Sequence, residues 1–389
     1  MLCKSFGIGH IEIAEDIVSD TFLLASETWG LKGLPANPTA WLYTVAKNKA
    51  RDVFKHNKVF NEKIVSEIKH TTPVAHEIEI DLSHKNINDS QLQMMFAICH
   101  PSIPAEAQIG LSLNILCGFG AEEIADAFLS NKDATYKRLA RAKEKLRSEN
   151  VKIELPPASE ISSRMDPVLT TLYLLFSESY YSTSQNTTLR KDLCVEAMRL
   201  NLMLTENEQT DTPFANALLS LMCFHSSRFE ARTDKHGEII LYEDQDETLW
   251  NKELIEKGEY YLNRASTGTI LSRYHLEAAI AYWHTHKNNT HEKWENILQL
   301  YNKLLQLEYS PIAALNRTYA LSKANGKQEA IIEAEKLKLN DNHLYHSLLG
   351  NLYTDIDNKK AIHHLQTALK LAKTKPDKTV ISGNIDRLN

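Results

Sequence analysis

Two sets of basic residues define the chemistry this chain offers. Lys47, Arg51, Lys55 and Lys58 recur at helical spacing, and Lys137, Arg138, Arg141 and Lys145 do so again about ninety residues later. That rhythm places each set on one face of a helix, opposite an apolar stripe of Leu42, Val45, Ala46 and Val53 in the first case and Leu139, Ala142 and Leu146 in the second. A cationic helical face suits a phosphate backbone, because each lysine or arginine that neutralises a phosphate releases counterions. Trp41, Tyr43 and Asn48 stand in the first helix, and rings and amides of this kind hold unpaired bases. Either helix alone could be a solvated basic surface, and the first taken alone is better read as one, with Trp41 as a core anchor. Their occurrence in order along one chain is what points to DNA.

The elements that must position these groups are helical. Ile124, Ala125 and Phe128 give a short helix an inner face, Leu129-Ser130-Asn131 reads as a tight turn, and the second basic helix follows, which is helix-turn-helix spacing. In that motif the start of the second helix meets base edges and later basic residues meet phosphates. Thr135, Lys137 and Arg138, with Tyr136 beside them, are therefore expected to read bases, and Arg141 and Lys145 to anchor the backbone. Upstream, residues 12–27 carry Glu12, Glu15, Asp16, Asp20 and Glu27 without a lysine or arginine, so acid and base are sorted into separate segments.

At 389 residues the chain exceeds what one core usually serves, so several units are expected. The composition, 43% hydrophobic and 24% charged, is that of a globular protein, and no apolar run is long enough to span a bilayer. The opening residues do not resemble a secretion signal, and five scattered cysteines without a C-x-x-C pair fit reduced thiols, so a cytoplasmic location is expected. The pair Cys99-His100 is half a metal site at most and reads as packing. A net charge of −6 excludes a protein coated in basic residues.

Helical periodicity runs throughout and predicts an all-α fold, with one candidate hairpin over Arg232–Asp246. Residues 62–91 read as a polar linker between units 1–61 and 92–150. Pro156-Pro157 blocks the basic helix and opens a helical extension, 151–265. Beyond it, over 266–389, Leu315-Asn316-Arg317-Thr318-Tyr319 recurs thirty-four residues on as Leu349-Gly350-Asn351-Leu352-Tyr353, and Ala330-Ile331 recurs thirty-one residues on as Ala361-Ile362. Thirty-four is the tetratricopeptide period, so stacked helix hairpins are expected there, either with a binding groove or, equally well, as a helical solenoid cap without a ligand. Glu243, Asp244 and Asp246, with His225, are the residues that could hold Mg²⁺ or do acid–base work. No glycine-rich phosphate loop, nucleophile elbow or H-E-x-x-H helix accompanies them, and the alternative is that Asp244 and Asp246 cap a turn while Trp250 anchors a core. The chain reads as a non-enzyme that needs no cofactor.

Taken in order, Ala14–Phe22, Asn37–Asp52 and Gly120–Arg147 resemble an extracytoplasmic-function sigma factor of bacterial RNA polymerase. Leu221–Arg228, Glu243–Asp246 with Trp250, and Tyr274–Ile280 are similar to the subgroup with a long C-terminal extension of tetratricopeptide-like repeats. The resemblance implies that Glu15, Asp16 and Asp20 grip the polymerase core. It implies that Asn37, Trp41, Lys47, Asn48, Arg51, Lys55 and Lys58 open the minus-ten element and that Thr135, Tyr136, Lys137, Arg138, Arg141 and Lys145 read the minus-thirty-five element. The extension would meet a regulatory protein. The family usually has a further helical stretch before the acidic motif, and only eleven residues precede Glu12, so a shortened sigma domain 2 is expected. Gly120 stands where the family often has a capping serine. A repeat-bearing helix-turn-helix regulator that acts without the polymerase is the alternative reading.

Overall fold

The computed structural model describes residues 7–65, 84–127, 130–181, 187–232 and 240–388. Among them the fold is all-helical, with no β-strand. The chain divides into two compact units, residues 1–174 and 175–389.

In unit 1, α1 (Ile11–Lys32) and α2 (Pro38–Val65) form a hairpin. Ile17 of α1 and Ala50 of α2 are buried at its centre, with Ile13, Ala46 and Val53 around them. The chain leaves α1 through Gly33, whose φ of 79° lies in a region that costs glycine nothing, and Asn37 starts α2 by accepting the Ala40 N–H at 3.0 Å. After α3 (His84–Ile98) and α4 (Ala105–Leu111), which passes into a π-helical turn (Ser112–Leu116), come α5 (Ala121–Ala127) and α6 (Lys132–Ser148). These last two are the two helices expected of the helix-turn-helix; Phe128 and Leu129, expected to end the first and open the turn, lie outside the described residues. Asn131 caps α6 by accepting from Asp133 and Ala134 N–H at 2.9 and 3.2 Å, and Leu139, Ala142 and Leu146 are buried. At the head of α5, Glu123 accepts the Gly120 N–H at 2.8 Å, the half of a capping box that needs no side chain at the cap.

Two expected boundaries move. Residues 62–65 continue α2 and 84–91 belong to α3, so the proposed linker 62–91 is helical at both ends, and 66–83 lie outside the described residues. The polar start of α3 is carried by its other half, where Met94, Met95, Phe96 and Ile98 are buried. The second shift concerns α7 (Ala158–Tyr181). It does start after Pro156-Pro157, but its first part belongs to unit 1. Arg164 donates to the Phe96 carbonyl at 2.7 Å and Thr171 to Gln108 Oε1 at 2.8 Å, while Met165, Val168 and Leu172 are buried.

Unit 2 is built around α9 (Pro213–Ser227), which is apolar on every side and buried accordingly, against α8 (Thr187–Thr205), α10 (Lys252–Ala265) and α11 (Arg273–Trp283). The expected hairpin falls partly on 233–239, outside the described residues; of the remainder, Tyr242–Asp244 is a 3₁₀ turn, and a second, Glu247–Leu249, follows it. Then α12 (His291–Leu307), α13 (Pro311–Ala324), α14 (Lys327–Leu337), α15 (His343–Tyr353), α16 (Asn358–Leu371) and α17 (Lys375–Asp386) pack each on the next, and α13 also on α15. This is the stacked-hairpin arrangement of tetratricopeptide-like repeats. The repeat pairs hold structurally: Leu315 and Leu349 are both buried, as are Ala330 and Ala361.

Gly350 is where α15 and α16 come closest. A Cβ there would meet Leu365 Cγ at 2.6 Å and the Ala361 carbonyl oxygen at 3.3 Å. Gly350→Ala is expected to lower stability by up to about 2 kcal/mol, the overpacking penalty less the gain in helix propensity, read from the urea midpoint.

A candidate nucleic-acid interface

Unit 1 brings together groups that lie far apart in sequence. A groove of about 1070 Å³ is lined by Glu15, Asp16 and Phe22 of α1, by Tyr43 and Lys47 of α2, and by Tyr136 of α6. The acidic segment and the two basic helices therefore face one another across it.

Three ion pairs close this arrangement. Glu15 Oε1 lies 2.5 Å from Lys143 Nζ, both Glu12 oxygens lie 2.7 Å from Arg147 Nη2, and Asp20 Oδ2 lies 3.0 Å from Lys49 Nζ. Partial burial raises the Glu12 carboxyl, but its own backbone N–H and the Arg147 guanidinium outweigh this and hold it below the usual carboxylate range. Three acids of α1 are thus partnered by Lys49, Lys143 and Arg147, which stand outside the two expected DNA-reading sets. Asp16 lines the groove and is exposed. Beside these acids α1 also shows apolar side chains to solvent, Phe22 at 58% and Leu23 at 60% exposure, so its outer face combines charge with uncovered apolar area.

In α2, Asn48 and Arg51 are exposed and Lys47 is half-buried at the groove. Lys55 and Lys58 lie on the same helix, but their side chains fall outside the described residues. Two members of the expected set have structural partners. The Asn37 oxygen caps α2, and Trp41 is half-buried with its ring edge-to-face on Trp29 at 5.4 Å.

In α6, Tyr136, Lys137, Arg138, Arg141 and Lys145 are exposed. Arg138 lies 3.4 Å from Glu106 and Lys145 2.5 Å from Glu149, and all four side chains are well exposed, so these pairs are weak. Thr135 corrects the expectation. It is 3% exposed, and its hydroxyl hydrogen-bonds the Ser130 hydroxyl at 2.8 Å, so it ties the turn to the helix and presents nothing to a base. Its place four residues before Leu139 puts it on the buried stripe.

The carboxylates considered for metal or acid–base chemistry diverge in unit 2. Glu243 accepts from Lys323 Nζ at 2.7 Å and Tyr319 Oη at 3.1 Å. Asp246 caps a 3₁₀ turn through the Thr248 N–H at 2.9 Å, Asp244 is exposed, and Trp250 is buried. Cys99 is buried, which pushes its thiol up to about 11, and His100 Nδ1 meets Ser102 Oγ at 2.8 Å. What sequence reasoning missed is cationic: Arg228 and Lys293, to which it assigns no role, are buried. Lys293 falls in register with the buried Ile297 and Leu304 of α12, a signal that was available.

An all-helical protein with a helix-turn-helix in one unit and stacked hairpins in the other is the class these observations define. Residues 164–266 match a family of unknown function, DUF6596. The crystal structure of yeast Tom70 aligns with a TM-score of 0.38 and 12% identity, over 98% of this chain and 80% of that one. The chain belongs to the family of the uncharacterized protein R00370 of Rhizobium meliloti (strain 1021), with which it is 30% identical over 387 residues, 97% of this chain and 90% of the relative. No helix among the described residues is long and apolar enough to cross a membrane.

Proposed function

We propose that this chain is a sigma factor that directs bacterial RNA polymerase core to specific promoters. In this reading α2 serves the minus-ten element, α6 the minus-thirty-five element, and α1 docks on the core enzyme. The stacked hairpins of unit 2 serve as a regulatory protein-binding surface. The observation that carries the reading is the capped helix-turn-helix whose second helix presents Tyr136, Lys137, Arg138 and Arg141 outward, in one unit with the basic α2 and the acidic, partly apolar α1. Phosphodiester chemistry belongs to the polymerase, so the chain itself needs no catalytic residue.

The reading has a physical consequence. Glu15 would leave Lys143 when α1 meets the core, so polymerase binding and opening of the groove are coupled.

In vitro transcription with purified core enzyme is the test. The full chain is expected to yield promoter-specific transcripts; none on any genomic promoter library overturns the proposal, and DNA binding without core association identifies a regulator that acts without the polymerase. Arg138→Ala is expected to lose about 1–3 kcal/mol of binding at one base position, and Lys145→Ala to weaken all sequences alike and flatten the salt dependence. Competition binding on single-base promoter variants separates the two.

A further inference from the structure

Between α9, the 3₁₀ turns and α12 of unit 2 lies a cluster whose charges do not balance. Arg228 is 9% exposed and Lys293 1% exposed. They approach the same aromatic ring: the Arg228 guanidinium carbon lies 5.4 Å from the centre of Tyr242 and Lys293 Nζ 5.1 Å from it. Lys293 donates to Tyr242 Oη at 3.0 Å and to the His286 carbonyl at 2.5 Å, and among the described residues neither cation makes an ion pair. The nearby carboxylates are occupied or outside: Glu243 is held by Lys323 and Tyr319, and Glu247 is exposed.

Several polar atoms in the same layer lack partners. Arg228 Nε, Trp250 Nε1, His284 Nδ1 and Gln245 Oε1 are buried without a hydrogen bond. The rings of Trp250 and His284 stand 6.3 and 5.1 Å from that of Tyr242, so they gather with the two cations around the Tyr242 side chain. Burying two cations and leaving donors unmet is costly unless an anion joins them. An isolated carboxylate brings one charge and accepts only. A hydrogen phosphate or phosphomonoester brings two charges at neutral pH, several acceptor oxygens for Arg228, Lys293 and Trp250, and, in its hydrogen phosphate form, one O–H for Gln245 Oε1.

We propose that Arg228, Lys293, Tyr242, Trp250 and His284 form a binding site for a dianionic phosphate group, taken either as inorganic phosphate or as the phosphate of a small monoester. Arg228, Tyr242 and Trp250 lie within the stretch that matches the family of unknown function. The site needs neither DNA nor polymerase and stands apart from the function proposed above.

The test is isothermal titration of the full chain with inorganic phosphate, glycerol 1-phosphate and malonate, each in chloride buffer at fixed ionic strength. Saturable uptake of one phosphate or one monoester per chain is expected, weakened at least tenfold in Arg228→Gln and in Lys293→Met. Comparison of the two phosphate arms identifies the source. Circular dichroism melts of both variants in chloride establish that they fold, and Arg228→Lys, which keeps the charge but not the fork, is expected to fall between wild type and Arg228→Gln. Thermal shifts that grow linearly with phosphate and persist in the variants are surface exclusion of the salt, and with no saturable heat they overturn the site. Malonate uptake without phosphate uptake overturns the phosphate assignment, and equal uptake by wild type and both folded variants overturns the residues.

Discussion

Phe224→Ala is expected to lower the stability of unit 2 by about 3–5 kcal/mol, measured as a fall in the urea midpoint at unchanged slope. The ring is fully buried in α9 and meets Tyr282 of α11 at 5.8 Å between centroids. On its other side is Gly258 of α10, where a Cβ would lie 2.5, 2.7 and 2.9 Å from three ring carbons. The two helices are therefore in backbone-to-ring contact, and the Ser220 hydroxyl donates to the Gly258 carbonyl at 2.7 Å across the same seam. Removing the ring leaves a cavity that these anchored helices cannot collapse into. Gly258→Ala fails in the opposite sense, by overpacking, and is expected to cost about 1–3 kcal/mol before helix propensity returns up to about 1. Combined with Phe224→Leu it is expected to cost less than the sum, with a coupling of about 0.5–3 kcal/mol. Strict additivity would mean that the close approach is not what requires glycine at 258.

The elements that declared themselves in the sequence are those whose signals are local. Asn131 before α6, the apolar spacing Leu139, Ala142 and Leu146, and the recurrence of Leu315 and Ala330 at Leu349 and Ala361 all act within a few turns of chain. Thr135 was misread because its hydroxyl suggested a polar task, whereas its position on the Leu139 stripe decides that it is buried. The helical start of α3 was missed because residues 84–91 carry almost no apolar side chains; their helicity is supplied by Met94 to Ile98 further on. The pairing of Glu15 with Lys143 and of Glu12 with Arg147 joins residues more than a hundred positions apart, and no periodicity encodes it. The consequence for the interface is concrete. Sequence separates acid from base, but the fold sets them across one groove, so the DNA-facing and polymerase-facing surfaces of the proposed function are linked.

The same distinction governs Arg228, whose charge says solvent and whose burial is tertiary, whereas Lys293 lies on the buried stripe of Ile297 and Leu304. Lys293 converts that burial into a measurable pH dependence. Burial lowers its ammonium from 10.5 to about 8, Arg228 adds to the effect, and Glu247 opposes it. Below pH 8 the folded and unfolded chains both carry the proton, and folding bears the full cost of the buried charge. Between 8 and 10.5 the unfolded chain binds more protons than the folded one, so this residue makes stability rise with pH. By pH 9.5 the gain is expected to reach about 2 kcal/mol. Other groups act in the opposite sense. Burial raises Cys223 and Tyr242 to about 12, so the unfolded chain loses those protons first and stability falls with pH above roughly 9. The difference between wild type and Lys293→Met, from urea titrations between pH 7 and 9.5 in phosphate-free chloride, isolates the lysine: it is expected to move in favour of wild type as pH rises. A flat difference would mean that the ammonium is not held in the low-dielectric layer beside Tyr242. Saturating phosphate is expected to flatten it as well, by stabilising the charged form and returning the lysine toward its ordinary value, so the same titration reads the burial without the anion and the pairing with it.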